Sequence, residues 1–363
     1  MGTTVLKGYG TGFEKISGSV FYAVLNRCFS VSAALKLKVI GCVICGSWRF
    51  YHNFRGNDFV AFNTVDWHSR DYCDKLAGLK NGLDRESLQH LDLILFRWQS
   101  LPSEQYADWF IVNMKKALTA EEWAAATACR KQAAQWKKQY PVACSEPYLP
   151  EVFLYHHGLT LVPDAVKMYM QGGDFIDAGA YCGDSALVLR NYAPRKIFSF
   201  EASRKNAERY RRTMLMNHVP ETEYELVEAA VGQHSGTLNF ADTADGCARG
   251  TVNAGEEVAL VALDEFFAAR PDSKVRFIKA DIEGMGLEMV YGMTATLKKF
   301  RPVLSLAVYH NPDEFFLIKP ALERLDLKYK FMLRKLNPAI MLVDTVLLAY
   351  PEELERKSLD GSF

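Results

Sequence analysis

GDFIDAGAYCGD, residues 173–184, reads as a short strand that runs into an acidic tip, two bracketing glycines and the first turn of a helix. Phe175 and Ile176 supply the apolar run, Asp177 closes it, and Gly179 and Gly183 frame the turn. Glycine lets backbone come close to a ligand, and a helix starting near Gly183 points its unpaired N–H groups at whatever sits above it. Asp177, Gly179, Ala180, Tyr181, Gly183 and Asp184 are therefore candidate ligand contacts. The spacing is GxxxG, with Tyr181 where a pyrophosphate-binding loop has its middle glycine, so an ordinary tight turn is the competing reading.

The same texture continues to the C-terminus. KIFSFEA (196–202), YELVEAAV (224–231), KVRFIKADI (274–282), PVLSLAVYH (302–310), KYKFML (328–333) and DTVLLAY (344–350) are further segments of strand length and pattern. Helical segments at 184–191, 204–217, 287–299 and 313–325 fill most of the gaps. This alternation predicts an α/β fold: a doubly wound, mostly parallel, Rossmann-like sheet of seven strands, with ligands beyond the carboxyl ends of the strands.

Upstream the texture is helical. Leu88, Leu91, Leu95 and Trp98 recur at spacings of three and four, and 117–136 is rich in Ala, Gln and Lys. LKVIGCVIC (37–45) and DFVAFNTVDW (58–67) read as strands of a possible small α/β unit. The Pro-bearing stretch 141–150 separates the two textures, so the expected organisation is a mainly helical region, 1–145, followed by a catalytic domain, 146–363. Trp98, Trp109, Trp123 and Trp136 read as helix-packing core, and Arg204, Lys205, Arg209, Arg211 and Arg212 as a solvated helix face.

Composition narrows the function classes. The 43 basic and 43 acidic residues cancel, which leaves no general pull toward nucleic acid or anionic membrane. Eight cysteines in 363 residues are too few for a disulfide scaffold, and several lie in apolar runs, so a reducing compartment, the cytoplasm, is expected. The run Val39–Cys45 is far shorter than the roughly 20 residues of a spanning helix. No signal peptide is read at the start, and Leu6 stands where a myristoylation signal needs Ser or Thr. No metal centre is expected: His156 and His157 have no further ligand at suitable spacing, and Cys42-x-x-Cys45 is a single pair.

Three more strand tips carry acids or an imidazole. Glu201 lies 24 residues after Asp177, close to the roughly 20 at which a carboxylate accepts ribose hydroxyls; the alternative is a solvated residue that starts a helix. Ala202 follows it in the same loop. Asp281 and Glu283 fall on one side of an extended segment by the period-two rule, both toward the cleft, although Asp281 could instead cap the next helix. His310 ends the fifth strand, where it can accept a proton at neutral pH or act as a structural hydrogen-bonding group.

Taken together, FIDAGAYCGDSA (175–186), FEASRKN (200–206) with Asn217, Leu263-Asp264 before FIKADIEG (277–284), and AVYHNPDEF (307–315) with DTVLLAY (344–350) resemble the FkbM-type methyltransferases, a class I S-adenosylmethionine-dependent family. GLDRESLQHLDLILFRW (82–98) is similar to what precedes the domain in some bacterial members. The resemblance implies that the loop 177–183 surrounds the methionine portion of S-adenosylmethionine, that Glu201 holds the ribose, and that Asp281 and Glu283 face the transferred methyl. Two positions depart from it: Ala202 replaces a proline, and Gly286 replaces an acid after the Glu-Gly pair, taking a polar contact from the region nearest the cleft.

The expected activity is methyl transfer to a hydroxyl of a small-molecule, sugar or lipid acceptor, with His310, Asp281 and Glu283 as candidates for the general base. A non-catalytic nucleotide-binding or scaffold module with the same fold is the alternative, resting on Gly286. A dehydrogenase is disfavoured by the missing middle glycine, and base methylation by the absence of a Pro-Pro-Tyr ending after the fourth strand.

Overall fold

The structure, a computed structural model, describes residues 65–66, 69–100, 119–144, 148–242, 248–250, 256–338 and 344–355. The strand expected at 37–45, most of that at 58–67, Trp109, Cys42 and Cys45 lie outside these residues. Helices α1 (Arg70–Lys80) and α2 (Arg85–Ser100) come first. Helix α3 (Ala120–Gln139) starts at a capping box, in which Thr119 Oγ1 accepts the Glu122 N–H at 3.1 Å and Glu122 Oε2 accepts the Thr119 N–H at 2.9 Å. Then follow α4 (Pro150–Phe153), α5 (Asp164–Met170), β1 (Asp174–Ala178), α6 (Asp184–Leu189), β2 (Lys196–Phe200), α7 (Arg204–Met216) and β3 (Tyr224–Val227). A segment of short strands comes next: β4 (Ala229–Val231), β5 (Gly236–Asp242), β6 (Ala248–Gly250) and β7 (Glu256–Val261). The chain ends with α8 (Leu263–Ala268), β8 (Val275–Ala280), α9 (Gly286–Gly292), α10 (Thr294–Phe300), β9 (Val303–Ala307), α11 (Pro312–Glu323), β10 (Tyr329–Lys335) and β11 (Thr345–Pro351).

The seven expected strands form one sheet in the order β10-β11-β9-β8-β1-β2-β3. β11 runs antiparallel to both its neighbours, and the remaining pairs are parallel. The strand expected at 224–231 divides: its first half is β3, and its second half is β4 of a separate four-stranded sheet, β4-β7-β5-β6. The helix expected at 287–299 is likewise two, broken at Met293, with Asp264 accepting the N–H groups of Ala295 and Thr296 at 2.8 and 2.7 Å.

Alternation along the strands sends one set of side chains to each face. Ile176, Phe198, Ile278, Leu304, Leu333 and Leu347 pack under α8 to α11. Phe175, Ile197, Phe277, Val303 and Leu348 pack under α5, α6 and α7. Tyr72, Leu79, Leu91 and Ile94, from α1 and α2, belong to the first of these layers, so the upstream helices share the sheet's core on this side. Ser87 Oγ accepts the Leu333 N–H at 2.9 Å and the buried Arg334 guanidinium at 2.7 Å, which locks α2 along β10. Trp136 stacks on Phe153, joining α3 to α4. Arg204, Lys205, Arg211 and Arg212 are exposed on α7, with Arg209 half-buried.

Leu91 is fully buried in this shared core. Leu91→Ala is expected to lower unfolding stability by about 2–5 kcal/mol in a urea titration of the full chain; a change under about 0.5 kcal/mol, the size expected of a surface position, would show that α2 does not dock there.

Candidate active site

The second face of the sheet turns polar at the carboxyl ends of the central strands. Asp177 pairs in register with Ser199 on one side and Lys279 on the other, and Lys279 pairs with Ser305. Two positions earlier on each strand the same face carries Ile197, Phe175, Phe277 and Val303. Asp177 is 0% exposed, and the buried Lys279 Nζ lies 3.1 Å from its Oδ1 while donating to Gly179 O at 2.8 Å. Burial alone would lower the Lys279 pKa; Asp177, Asp281 and Glu151 outweigh it and raise the pKa. Lys279 is not among the candidates that residue spacing offers; its one signal in the sequence is a cation between Ile278 and Ala280 in a buried strand.

The loop after β1 is held from both sides. Gly179 has φ 79°, and a Cβ there would lie 1.8 Å from Asp281 O, so no side chain fits between the first and fourth strand tips. Tyr181 is left-handed at φ 46°, a conformation that costs a non-glycine residue about 1–3 kcal/mol. Its N–H donates to Glu201 Oε2 at 2.7 Å, and the Ser203 N–H donates to Glu201 Oε1 at 2.8 Å. Glu201 is 7% exposed, and burial pushes its pKa up to about 7 despite those two donors. Ala202 follows it, half-buried. Asp184, the first residue of α6, also has a pKa raised by burial.

The fourth tip departs from the extended segment expected for it. β8 ends at Ala280, and Glu283 is left-handed at φ 54°, so the period-two alternation does not continue through Asp281 and Glu283. Asp281 caps no helix: its N–H donates to Ala178 O at 3.0 Å, and its carboxylate receives the Tyr309 hydroxyl at 3.2 Å. His310 Nε2 lies 3.1 Å from Asp281 Oδ1, and His310 Nδ1 lies 2.9 Å from Glu314 Oε2. Burial would lower the His310 pKa, but the two carboxylates dominate and hold it well above the ordinary value. Burial likewise opposes ionisation of Asp281, and His310 with Lys279 overcomes it, holding the carboxyl well below the usual range. The two carboxylates thus favour the charged ring, whose Nδ1–H donates to Glu314 Oε2 while Nε2 faces Asp281.

Glu314 answers for the departure at Gly286. Its Oε1 accepts the Gly286 N–H at 2.7 Å, and a Cβ at 286 would lie 2.7 Å from that same oxygen. The carboxylate of α11 thus fills the space in which a side chain at 286 would begin. Asn311 completes the corner by donating to Gly284 O and accepting the Glu314 N–H, at 3.0 and 2.9 Å.

The segment before β1 supplies buried groups that the sequence reading assigned no role. His157 Nδ1 lies 3.2 Å from Glu151 Oε1, and His157 Nε2 lies 2.8 Å from Ser185 Oγ. Burial, then Lys279, brings the His157 pKa down to about 4, so this ring is neutral. Burial raises Glu151 to about 7 and raises Asp344 well above the carboxylate range; Asp344 holds the proton between them, anchored by the Asn337 amide at 2.8 Å. Among the described residues no group of three or more His, Cys, Asp and Glu could hold a metal, and no helix is long and apolar enough to cross a membrane. A cleft of about 470 Å³ lined by Tyr140, Arg190, Asn217 and Glu223 lies beside the amino ends of β2 and β3, and none of these four residues belongs to the cluster.

Strand order, one antiparallel strand and acidic tips on the first, second and fourth strands define a sheet of the class I methyltransferase type. Residues 177–337 match the family model described as the methyltransferase FkbM domain. No curated protein matches the sequence. Among solved structures, a methyltransferase FkbM from Methylobacillus flagellatus is 16% identical, with 73% of this chain and 60% of that one covered and a TM-score of 0.44. The chain thus spans three-fifths of that relative's length. An rRNA methylase from Streptococcus thermophilus is 10% identical over 55% of this chain and 95% of its own, at a TM-score of 0.36. A SAM-dependent methyltransferase from Agrobacterium tumefaciens is 8% identical over 56% and 63%, at 0.36.

Two experiments test the electrostatics. Lys279→Met leaves Asp177 buried without its cation and is expected to destabilise the chain by about 3–5 kcal/mol in denaturant titration. The raised pKa of His310 means that its charged form stabilises the fold fully below the unfolded value of about 6.5, and that this contribution is lost only as pH rises through the higher folded value. His310→Gln is therefore expected to be less stable than the parent near pH 6, with the gap narrowing at alkaline pH; a gap that widens with pH would contradict an imidazolium at this place.

Proposed function

We propose that the chain is an S-adenosylmethionine-dependent O-methyltransferase for a hydroxyl of a small-molecule, sugar or lipid acceptor. The observation that carries the reading is Glu201: a buried carboxylate at the tip of β2, fixed by the N–H groups of Tyr181 and Ser203. With the Asn206 side chain as a third donor, about one of a carboxylate's roughly four acceptor sites remains for a ribose hydroxyl. The surrounding acids fit a cationic cofactor, since Asp177, Asp184, Asp281 and Glu151 gather around Lys279 and His310. When bound, S-adenosylmethionine supplies an electrophilic methyl group on a sulfonium.

The protein's share of an in-line transfer is alignment more than covalent work. In this proposal the loop 179–183 and Glu201 seat the cofactor, and Asp281, with a side chain 25% exposed, accepts a hydrogen bond from the acceptor hydroxyl and orients it. His310 and the Tyr309 hydroxyl hold Asp281 for that task. His310 is thereby a positioning residue, and Glu283, in the left-handed turn beside Asp281, is the remaining candidate to take the hydroxyl proton.

Isothermal calorimetry with S-adenosylhomocysteine tests the cofactor half. Binding is expected, weakened at least tenfold by Glu201→Ala, and strengthening as pH rises through about 7, where Glu201 ionises. Transfer of labelled methyl to fractionated cell extract tests the acceptor half. At saturating cofactor its rate is expected to show no rise with the ordinary imidazole pKa of about 6.5, because the two carboxylates hold His310 well above it. A rise with an apparent pKa near 6.5 would return the base role to His310.

A further inference from the structure

Cys182 sits in the loop after β1, fully buried between Tyr181 and Gly183. Its Sγ lies 2.8 Å from Sγ of Cys144, a half-buried residue 38 positions earlier, in the strap that joins α3 to α4. That separation is already inside ordinary sulfur contact, and a covalent bond of about 2.05 Å needs an approach of roughly 0.8 Å. Both neighbourhoods are anchored: the Ala143 N–H donates to Thr213 Oγ1 at 2.9 Å, and the Tyr181 N–H donates to Glu201 at 2.7 Å. No metal explains the pair, since among the described residues no cluster offers further ligands.

We propose that Cys144 and Cys182 are a reversible disulfide site, oxidised by low-molecular-weight disulfides, that couples the strap to the loop after β1. The thiolate of the more exposed Cys144 attacks one sulfur of the oxidant RSSR, giving a mixed disulfide and one RS⁻. Cys182 then loses its proton, and its sulfur attacks Cys144 Sγ, forming the Cys144–Cys182 bond and expelling the second RS⁻. Two protein thiols are oxidised and RSSR is reduced to two RSH. Cys144 is the attacking sulfur because Cys182 is buried, and its contact with Cys144, its burial and the nearby Asp184 all raise its pKa. Closing the bond draws Cys182 toward the strap and pulls the Tyr181 N–H from Glu201, so the oxidised form holds the adenosyl group less tightly; this second consequence rests on the function proposed above.

The test uses the full chain equilibrated with oxidised or reduced glutathione, quenched with acid, alkylated and digested for mass spectrometry. The expected product under oxidised glutathione is a peptide pair joined through Cys144 and Cys182, two hydrogens lighter than its separate halves, lost on adding thiol and absent from Cys144→Ser. Both cysteines alkylated, or held only as mixed disulfides with glutathione, would overturn the site. Calorimetry with S-adenosylhomocysteine is expected to give at least fivefold weaker binding in the oxidised parent and no change in oxidised Cys144→Ser. Equal affinity in the two redox forms would overturn the coupling to the cofactor loop, whereas absence of binding in both, with the cross-link present, would overturn the proposed function and leave the disulfide site standing.

Discussion

One ammonium group governs the acidic end of this sheet. Lys279 lies 3.1 Å from Asp177, both withdrawn from water, and its charge also reaches Glu151, Asp184, Glu201, Asp281 and His157. In a medium of low effective dielectric a single cation acts strongly over such distances, and isolated carboxylates would otherwise neutralise by taking up protons. The division of labour among the acids follows from their distance to this charge and to His310. Asp281 touches the imidazolium and stays ionised, Asp344 lacks such a partner and keeps its proton, and Glu201 stands near neutrality with two backbone donors.

The sheet was legible because its strands are short apolar runs punctuated by charges, and because the residues at their tips carry the turn chemistry: Asp177, Gly179 and Gly183 in the first loop, Glu201 in the second. The small sheet was not. β4 continues the pattern of β3 across Glu228, so the two read as one strand, and only pairing with β7 separates them. Lys279 escaped for a related reason. Lysine in a strand normally marks an exposed face, and its partner Asp177 is over a hundred residues away, joined to it by the β1–β8 register alone. His310 was found as an imidazole at a strand tip, but its charge depends on Glu314 in α11 and Asp281 after β8, a convergence that residue spacing cannot express.

Backbone strain marks the same place. Tyr181, Glu283, His157 and Asp344 all take left-handed conformations without being glycine, and each borders the buried acidic cluster. Left-handed residues elsewhere, such as Ala193 and Arg301, cap helix ends, where such backbone is routine. Tyr181, His157 and Asp344 instead aim a backbone N–H or a side chain at a buried partner, the Tyr181 N–H onto Glu201 being the clearest case. Their conformational cost is sustained by the hydrogen bonds and ion pairs that this aim permits.

Segments that precede the family match complete the cluster. Glu151 and His157 lie before residue 177, where the family match begins. α3 braces them from the other side, through Trp136 against Phe153. Ser305 Oγ donates to His157 O at 2.6 Å, so the His157 turn is tied to β9 as well as to Ser185 at the start of α6. A neutral imidazole bridging Glu151 to Ser185 thus ties the acidic cluster to α6, the helix that follows the loop after β1. Through Trp136, Phe153 and this bridge, α3 and α4 are packed in series with the start of α6.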